Sequence, residues 1–259
     1  MVSVTRPGQR HINIPGIGVT ASRRAVGGGN GLLNNLIAYW ALDEAAGANN
    51  ALDKHTNGLT LERSASPGSA AGLVYSGART FNGTSQSFTR TSQTLLQTGG
   101  QDYTFAAWAY FATLPLSAHA FLLSKDDTDT RREVMIVVLT TGYASMTNSG
   151  GGYTNATTTD TVTQNAWNFV VGWRDDAAGK FYIQLNGGTI AEGTKASYAS
   201  TTAQFQLARY GDSTFGLVPR LGPVAMWKSA AGGGGVLTAT QRSQLYNAGA
   251  GLAYAAFTT

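Results

Sequence analysis

Residues 167–188 read WNFVVGWRDDAAGKFYIQLNGG. Apolar side chains recur at every second position over 167–173 and again over 181–185, which is the side-chain period of a β-strand. Residues 175–179, between the two runs, have the composition of a hairpin loop, and residues 186–188 have that of a tight turn. This stretch therefore predicts two antiparallel strands joined by a hairpin.

Similar patterns lie on both sides of this hairpin. Residues 103–111 also alternate, and residues 134–139 are apolar at every position, as in a strand covered on both faces. Short strands separated by turns, with no helical runs between them, indicate an antiparallel sandwich. One helix is predicted near the C-terminus, where Thr238 and Gln241 can form a capping box and Gly249 ends the helix. We expect this helix to lie across the edge of the sandwich.

The composition excludes several classes of protein. Of the 259 residues, 42% are hydrophobic and 12% are charged, with 33 Gly, 6 Pro and no Cys. Such a chain can bury a sizeable core, and it lacks the thiols of a disulfide module, a cysteine zinc site or a thiol nucleophile. No apolar run reaches the roughly 18 residues of a membrane helix, so we expect no membrane partner. The first ten residues also lack the apolar stretch of a secretory signal.

The positive charge is concentrated at the beginning of the chain. The net charge is +4, and residues 1–35 contain four arginines and no acid, so the 14 acidic side chains of the other residues are balanced by as many basic ones. Residues 1–35 show neither a helix nor a strand period and are rich in glycine. We therefore predict an extended basic arm over 1–35, with Gly27, Gly28, Gly29 and Gly31 as its hinge, and a single domain over 36–259.

The arm is predicted to anchor the domain to a protein partner. Arginines pair with carboxylates through two hydrogen bonds, and isoleucines fill small apolar pockets. The predicted anchoring residues are Arg6, Arg10, Ile12, Ile14, Ile17, Arg23 and Arg24. No aromatic residue interleaves with these arginines, so the arm lacks a stacking platform and no nucleic-acid partner is expected.

Seven segments, taken in order, carry a family resemblance. They are 36–44, 77–83, 103–108, 122–125, 167–173, 181–187 and 237–249. Together they resemble the laminin G-like, concanavalin A-like jelly-roll superfamily (LamG), and the first and last look most like versions found in tailed-phage virion proteins. The resemblance implies an all-β fold: an antiparallel two-sheet jelly-roll sandwich with a short C-terminal helix, preceded here by the extended N-terminal arm.

The chain lacks the catalytic patterns that this resemblance would suggest. Glycosidases of this superfamily resemble one another in a Glu-x-Asp-x-x-Glu spacing, which is absent here, as is Gly-x-Ser-x-Gly. Glu133 opens a strand, but Arg131 and Arg132 beside it predict an ion pair. His11, His55 and His119 are scattered and are expected to be arm, turn or strand residues. We therefore expect the protein not to be an enzyme.

Calcium is the ion that the resemblance implies, but its expected ligands are missing. One carboxylate is replaced by Asn82, which leaves a neutral oxygen, and another is missing from the Leu221–Val224 segment. Asp126, Asp127 and Asp129 form the densest acidic cluster and are the remaining metal candidates, against the alternative of a solvated loop tip. We expect neither a bound metal nor another cofactor.

A glycan site needs exposed aromatic rings and amide groups. The stretch from Tyr143 to Asn155 supplies both, so Tyr143, Asn148, Tyr153 and Asn155 are the predicted glycan-binding residues, with Tyr198, Tyr210 and Phe215 as further loop aromatics. The alternative is that these rings cover the faces of the sheets.

Two functions remain open. The leading hypothesis is a phage virion structural protein, a capsid decoration or tail- or fibre-associated protein on the virion surface. Its arm would bind the major capsid or tail protein, and multivalent attachment favours a homotrimer or homodimer. The alternative is a carbohydrate-binding module that recognises host-surface or mucus glycans without a structural role.

Overall fold

The computed structural model describes residues 29–47, 49–114, 116–126, 132–149, 153–195, 197–211, 214–215 and 220–259. These residues form two antiparallel sheets stacked face to face, with one short α-helix near the C-terminus. The predicted all-β sandwich with a C-terminal helix is confirmed. The predicted anchoring residues, between Arg6 and Arg24, lie outside the described residues.

Within the ranges just given, seventeen strands are present. They are β1 (Leu36–Trp40), β2 (Glu62–Ser64), β3 (Gly68–Ala71), β4 (Gly77–Thr80), β5 (Ser87–Arg90), β6 (Gln101–Phe111), β7 (Ala120–Lys125), β8 (Val134–Val138), β9 (Tyr143–Ser149), β10 (Tyr153–Thr161), β11 (Ala166–Asp175), β12 (Lys180–Leu185), β13 (Ile190–Thr194), β14 (Phe205–Leu207), β15 (Arg209–Tyr210), β16 (Thr214–Phe215) and β17 (Arg220–Ala230).

The first sheet has the order β13-β12-β11-β6-β17-β4-β3, and β1 also pairs with β17. The second has the order β10-β9-β8-β7-β14-β5-β2, and β15 pairs with β16. The predicted hairpin is present, since Asp175 of β11 pairs with Lys180 of β12 across the expected loop.

The main core lies between the two sheets. The inward residues of β6, such as Phe105, meet those of the second sheet, such as Phe205. Phe205 stacks on Trp40 with the ring centroids 5.0 Å apart and on Phe105 at 5.8 Å. All three rings are buried. This aromatic stack joins the sheets, because β1 and β6 belong to the first sheet and β14 to the second.

A second apolar layer covers the outer face of the first sheet. Trp108 of β6, Phe169 of β11 and Trp227 of β17 point to this face, where they pack with Leu245 of the helix α1 (Ala239–Tyr246). The helix therefore lies on the face of a sheet, and the expectation that it crosses the sandwich edge is wrong. The outward rings explain this position, because so much apolar surface needs a cover.

The helix begins as predicted and ends earlier. Thr238 and Gln241 exchange both bonds of a capping box. The α-helix ends at Tyr246, because Asn247 is left-handed with φ 47°, and a 3₁₀ turn (Asn247–Gly249) follows before the predicted stop at Gly249. Two other 3₁₀ turns span Thr94–Leu96 and Tyr254–Ala256. Within the described residues, no helix has the length and apolar character needed to cross a membrane.

The strand at residues 134–138 is covered on both faces, as its sequence predicts. Val134 and Ile136 belong to the main core, and Val137, on the other face, is 3% exposed. Met135 is half-buried. Phe121 of the neighbouring β7 pairs with Val137 and packs on Tyr210, so the segment around β15 covers this part of the second sheet.

The described end of the arm, residues 29–35, packs on the domain. Leu32 is fully buried, and its carbonyl accepts a hydrogen bond from Trp227 Nε1 at 2.8 Å. The Leu33 backbone N–H donates to the carbonyl of Thr258 at 3.0 Å. Asn30 and Thr258 also exchange hydrogen bonds, so the beginning of the domain is joined to its C-terminus.

Candidate functional site

The four predicted glycan-binding residues lie on the β9–β10 hairpin but not at one place. Tyr143, at the start of β9, is 36% exposed and pairs with Thr161, whereas Tyr153 pairs with Ser149 at the other end. Eight residues of β10 separate these ends, a distance of roughly 26 Å. Asn148 lies in β9 beside the second end, opposite Thr154. A single sugar ring therefore cannot contact both tyrosines.

Polar side chains on the outward face of this hairpin pair with one another. Thr147 Oγ1 donates to Oδ1 of the exposed Asn155 at 2.8 Å, and the Ser145 and Thr157 hydroxyls are 3.0 Å apart. These bonds leave Asn155 with its amide nitrogen to offer a ligand. Asn155 and Thr157 of the edge strand β10 are exposed, whereas Ser145 and Thr147 of β9 are buried, so the edge strand carries the accessible polar groups of this set.

Tyr198 and Tyr210, two of the three further aromatic residues predicted on loops, pack against other side chains of the domain. The Tyr198 hydroxyl lies 3.1 Å from Thr98 Oγ1, and the Arg174 guanidinium stacks on the Tyr198 ring at 4.7 Å. Burial raises the pKa of the Tyr198 hydroxyl. Tyr210 packs between Phe121 and the Arg132 guanidinium, which lies 4.4 Å from the ring centre. The side chain of Phe215 lies outside the described residues.

The predicted ion pair of Glu133 is present, but its partner among the described residues is Lys125 and not Arg132. Glu133 Oε1 lies 3.0 Å from Nζ of Lys125, and both side chains are fully buried. Arg132 instead forms a buried pair with Asp126. The hairpin register explains the difference, because β7 and β8 bring Lys125 beside Glu133. Arg131 lies outside the described residues.

The oxygens of Glu133 are also held by hydrogen bonds. The backbone N–H and hydroxyl of Thr98 donate to Oε2 at 2.8 and 2.7 Å. The same two groups of Thr201 donate to Oε1 at 2.6 and 2.8 Å. A buried carboxylate with both oxygens occupied is a structural group, because a catalytic acid or base must reach its substrate.

The acidic cluster does not present Asp126 to solvent. Its side chain is fully buried against Arg132, so the alternative interpretation of this cluster, a solvated loop tip, is wrong for Asp126. Asp127 and Asp129 lie outside the described residues. Asn82 Oδ1 accepts hydrogen bonds from the backbone N–H groups of Thr84, Ser85 and Gln86. In the part of the chain that the structure covers, no three His, Asp or Glu residues form a group that could hold a metal.

The described histidines are joined to backbone or tyrosine. His55 Nδ1 lies 3.1 Å from the Tyr254 hydroxyl, and His119 Nδ1 accepts from the Thr140 backbone N–H at 3.2 Å. His11 lies outside the described residues.

A cleft that the sequence did not reveal lies between helix α1 and strand β12, on the outer face of the first sheet. We call it the α1–β12 cleft; its volume is about 310 Å³. Phe169, Tyr246 and Ile190 form its apolar side, and Gln184, Ser243 and Arg242 add polar groups. Ile190 is 43% exposed there. This volume is at the lower end of the range of small-ligand pockets.

The rings of the cleft are held in place by packing. Tyr246 stacks on both Trp108 and Phe169, with centroid distances of 6.0 Å in each case. Gly187, beside the ring, has a φ of 69°, and a Cβ there would lie 3.3 Å from the ring. The tight turn at Asn186 and Gly187 therefore lets the tyrosine close one end of the cleft.

The polar groups of the cleft keep unused hydrogen-bonding capacity. Gln184 donates from Nε2 to the Gly188 carbonyl at 2.8 Å, which leaves its Oε1 without a partner among the described residues. The Ser243 side chain is exposed. Arg242 is 9% exposed, stacks on Trp173 at 4.1 Å, and donates from Nη1 to the Leu237 carbonyl. Burial lowers the pKa of the Arg242 guanidinium, which nevertheless stays charged at neutral pH.

One sequence signal could have located this cleft. Ala239, Arg242, Ser243 and Tyr246 stand at the i, i+3, i+4 and i+7 positions that share one face of a helix. The facing residues of β11, β12 and β13 are distant in the sequence, and only the fold brings them to this helix face.

Comparison of the sequence with family models agrees with this architecture. A model described as the concanavalin A-like lectin/glucanases superfamily matches residues 82–230. No curated protein matches the sequence.

Solved structures share the fold at low sequence identity. The binding domain of Paraclostridial Mosquitocidal Protein 1 superposes with a TM-score of 0.64 at 14% identity, over 83% of this chain and 52% of that chain. Domain 4 of AbnA, a GH43 extracellular arabinanase from Geobacillus stearothermophilus, was solved in complex with arabinotriose. This domain superposes with a TM-score of 0.60 at 16% identity, over 81% of this chain and 97% of that chain. The receptor binding domain of botulinum neurotoxin type G superposes with a TM-score of 0.57 at 12% identity, over 82% of this chain and 51% of that chain. The chain thus spans about half the length of the two toxin domains.

Proposed function

This chain belongs to the concanavalin A-like lectin/glucanase superfamily, and on that premise we propose that it is a carbohydrate-binding β-sandwich that holds a saccharide in the α1–β12 cleft. The observation that carries the proposal is the cleft itself, where a packed tyrosine ring stands beside polar groups with unused hydrogen-bonding capacity. Saccharides present apolar C–H faces and hydroxyl edges, which aromatic rings and amides complement. The arabinotriose complex of the AbnA domain, which has this fold, adds support.

Replacing Tyr246 with alanine is expected to weaken saccharide binding by about tenfold or more, because the stacking ring is lost. The measurement is a screen of the intact protein on an oligosaccharide array, followed by calorimetric titration of the saccharides that bind. Tyr143→Ala is the matched control, since Tyr143 is an exposed tyrosine of the other sheet.

Two further variants separate binding from folding. Ser243→Trp adds a bulky side chain at an exposed helix position and should block the cleft while the fold remains. Tyr153→Ala tests the β9–β10 hairpin instead. If Tyr153→Ala loses binding while Tyr246→Ala and Ser243→Trp bind normally, the site lies on the hairpin and not in the cleft. If no saccharide on the array binds the wild-type protein, the proposed function is refuted.

We propose binding without hydrolysis. The buried Glu133 has both oxygens occupied, Glu44 Oε1 accepts from the Leu52 backbone N–H at 2.7 Å, and Glu192 pairs with Lys180. The fourth glutamate, Glu62, is exposed on β2 of the second sheet, away from the α1–β12 cleft of the first. Incubating the protein with each bound saccharide, followed by chromatography, should return the saccharide intact. Appearance of shortened products would contradict this part of the proposal.

A second candidate role is display of this domain on a phage virion surface, and the observation that favours it is the uneven charge. The basic arm would attach the neutral domain to a major capsid or tail protein, as a trimer or dimer. Both roles are compatible, because a decoration protein can also hold sugars.

Deleting residues 1–28 is expected to abolish attachment to particles while leaving the melting temperature of the domain unchanged. This boundary is chosen because residues 29–35 pack on the domain, so deleting 1–35 would also remove the buried Leu32. Particle attachment is measured by co-sedimentation, and protection of Arg6, Arg10, Arg23 and Arg24 from trypsin only in the assembly is the second readout. Unchanged co-sedimentation of the truncated protein would exclude the arm as the anchor.

A further inference from the structure

We propose that the saccharide held in the α1–β12 cleft is acidic, and that Arg242 binds its carboxylate. The inference rests on the proposed function, because it names the class of saccharide for the same cleft. It starts from the charge of Arg242, which is nine-tenths buried. A buried charge is unfavourable unless a partner compensates it.

Other buried cations of the described residues have such partners. Lys125 pairs with Glu133, Arg132 with Asp126, and Arg174 with Asp176. The fourth, Arg79, donates three hydrogen bonds to the carbonyls of residues 44, 45 and 49. The usual solution in this protein is therefore a carboxylate or a set of carbonyls.

Arg242 has neither. Among the described residues it donates one hydrogen bond, from Nη1 to the Leu237 carbonyl, and no carboxylate lies within ion-pair distance. Its Nη2 makes no hydrogen bond to the described residues, and this is the nitrogen that could donate to a ligand, because Nε is closed to solvent, as are Nε of Arg79 and Nη1 of Arg174. Stacking on Trp173 fixes the guanidinium plane but supplies no acceptor.

The position of Arg242 makes the missing partner a ligand group. The side chain lines the cleft, and Ala239, the first residue of α1, lines it too, so the positive end of the helix dipole faces the same space. Of the nearby acids, Glu192 on β13 is paired with Lys180, and the Asp160 carboxylate lies by Gly188 at the turn after β12. A ligand carboxylate would accept from the guanidinium through a charge-assisted hydrogen bond.

The test uses matched pairs of saccharides and the intact protein. Each pair consists of a uronic-acid oligosaccharide and its carboxyl-reduced neutral form, which differ only in the charged group. We expect the acidic member to bind about tenfold or more tightly, with an affinity that falls as salt is raised. Arg242→Gln should bring the affinity for the acidic member down to that for the neutral member, so that the preference is lost.

A control variant and a measurement on the wild-type protein alone complete the test. Arg220→Gln is the control, because Arg220 also stacks on an aromatic ring, Tyr110 at 4.4 Å, but is half-exposed and lies outside the cleft. Equal affinities of the wild-type protein for the two members would overturn the inference, and this measurement needs no variant. If Arg242→Gln folds and still prefers the acidic member, the inference is overturned as well. Binding of neither member would instead count against the proposed function.

Discussion

Replacing Lys125 with methionine is expected to lower the free energy of unfolding by about 3–5 kcal/mol, because Glu133 is then left as an uncompensated buried charge. Lys125 Nζ also donates to the Ala203 carbonyl at 2.8 Å, and that acceptor loses its partner too. In a protein of this size the loss corresponds to a fall in melting temperature of roughly 10 °C. Urea unfolding of both proteins gives the free energies.

The control is Lys180→Met, which breaks an exposed pair of the same kind. Lys180 and Glu192 are 42% and 56% exposed, and an exposed pair contributes about 0–1 kcal/mol. If the two methionine variants proved equally stable, the buried pair would have no special part in the stability of the fold.

Phe205→Ala is expected to destabilise the protein by about 3–5 kcal/mol, since it empties the position between Trp40 and Phe105. The cavity would lie at the contact between the two sheets, where Phe205 of the second packs on two rings of the first. Thermal and urea unfolding measure the loss.

Two other substitutions provide stabilities against which the loss in Phe205→Ala is compared. Phe205→Leu keeps most of the volume and should cost less, and Leu52→Ala removes a side chain that is 51% exposed and should change stability by less than about 1 kcal/mol. A loss for Phe205→Ala no larger than that for Leu52→Ala would show that the aromatic stack does not hold the sheets together.

Local sequence patterns predicted several elements of this fold. Alternation over 103–111 and 167–173, and the turn residues after 174, depend on neighbours in the chain, and they predicted β6, β11 and the hairpin to β12. The capping box of Thr238 and Gln241 is equally local and was confirmed.

Contacts between distant residues were beyond this reasoning. The partner of Glu133 is set by the register of β7 on β8, so the adjacent Arg132 was the wrong choice. The place of α1 depends on outward rings such as Trp108, which the alternation over 103–111 puts on the face opposite Phe105, but the element that covers that face is distant in the sequence. The α1–β12 cleft was missed for the same reason, because its residues come from separate elements.

The joining of residues 29–35 to the C-terminus has a mechanical consequence. Because Asn30 and Thr258 meet at one point, a force between the two ends of the domain acts first on the hydrogen bonds around them, which open one after another. A force between residue 29 and a saccharide at the proposed site would instead run along the backbone into β1, which pairs with β17 of the first sheet, and through the outer apolar layer to helix α1. The second sheet would lie off that path, so a domain held at residue 29 would bear a load on the proposed saccharide mainly through its first sheet.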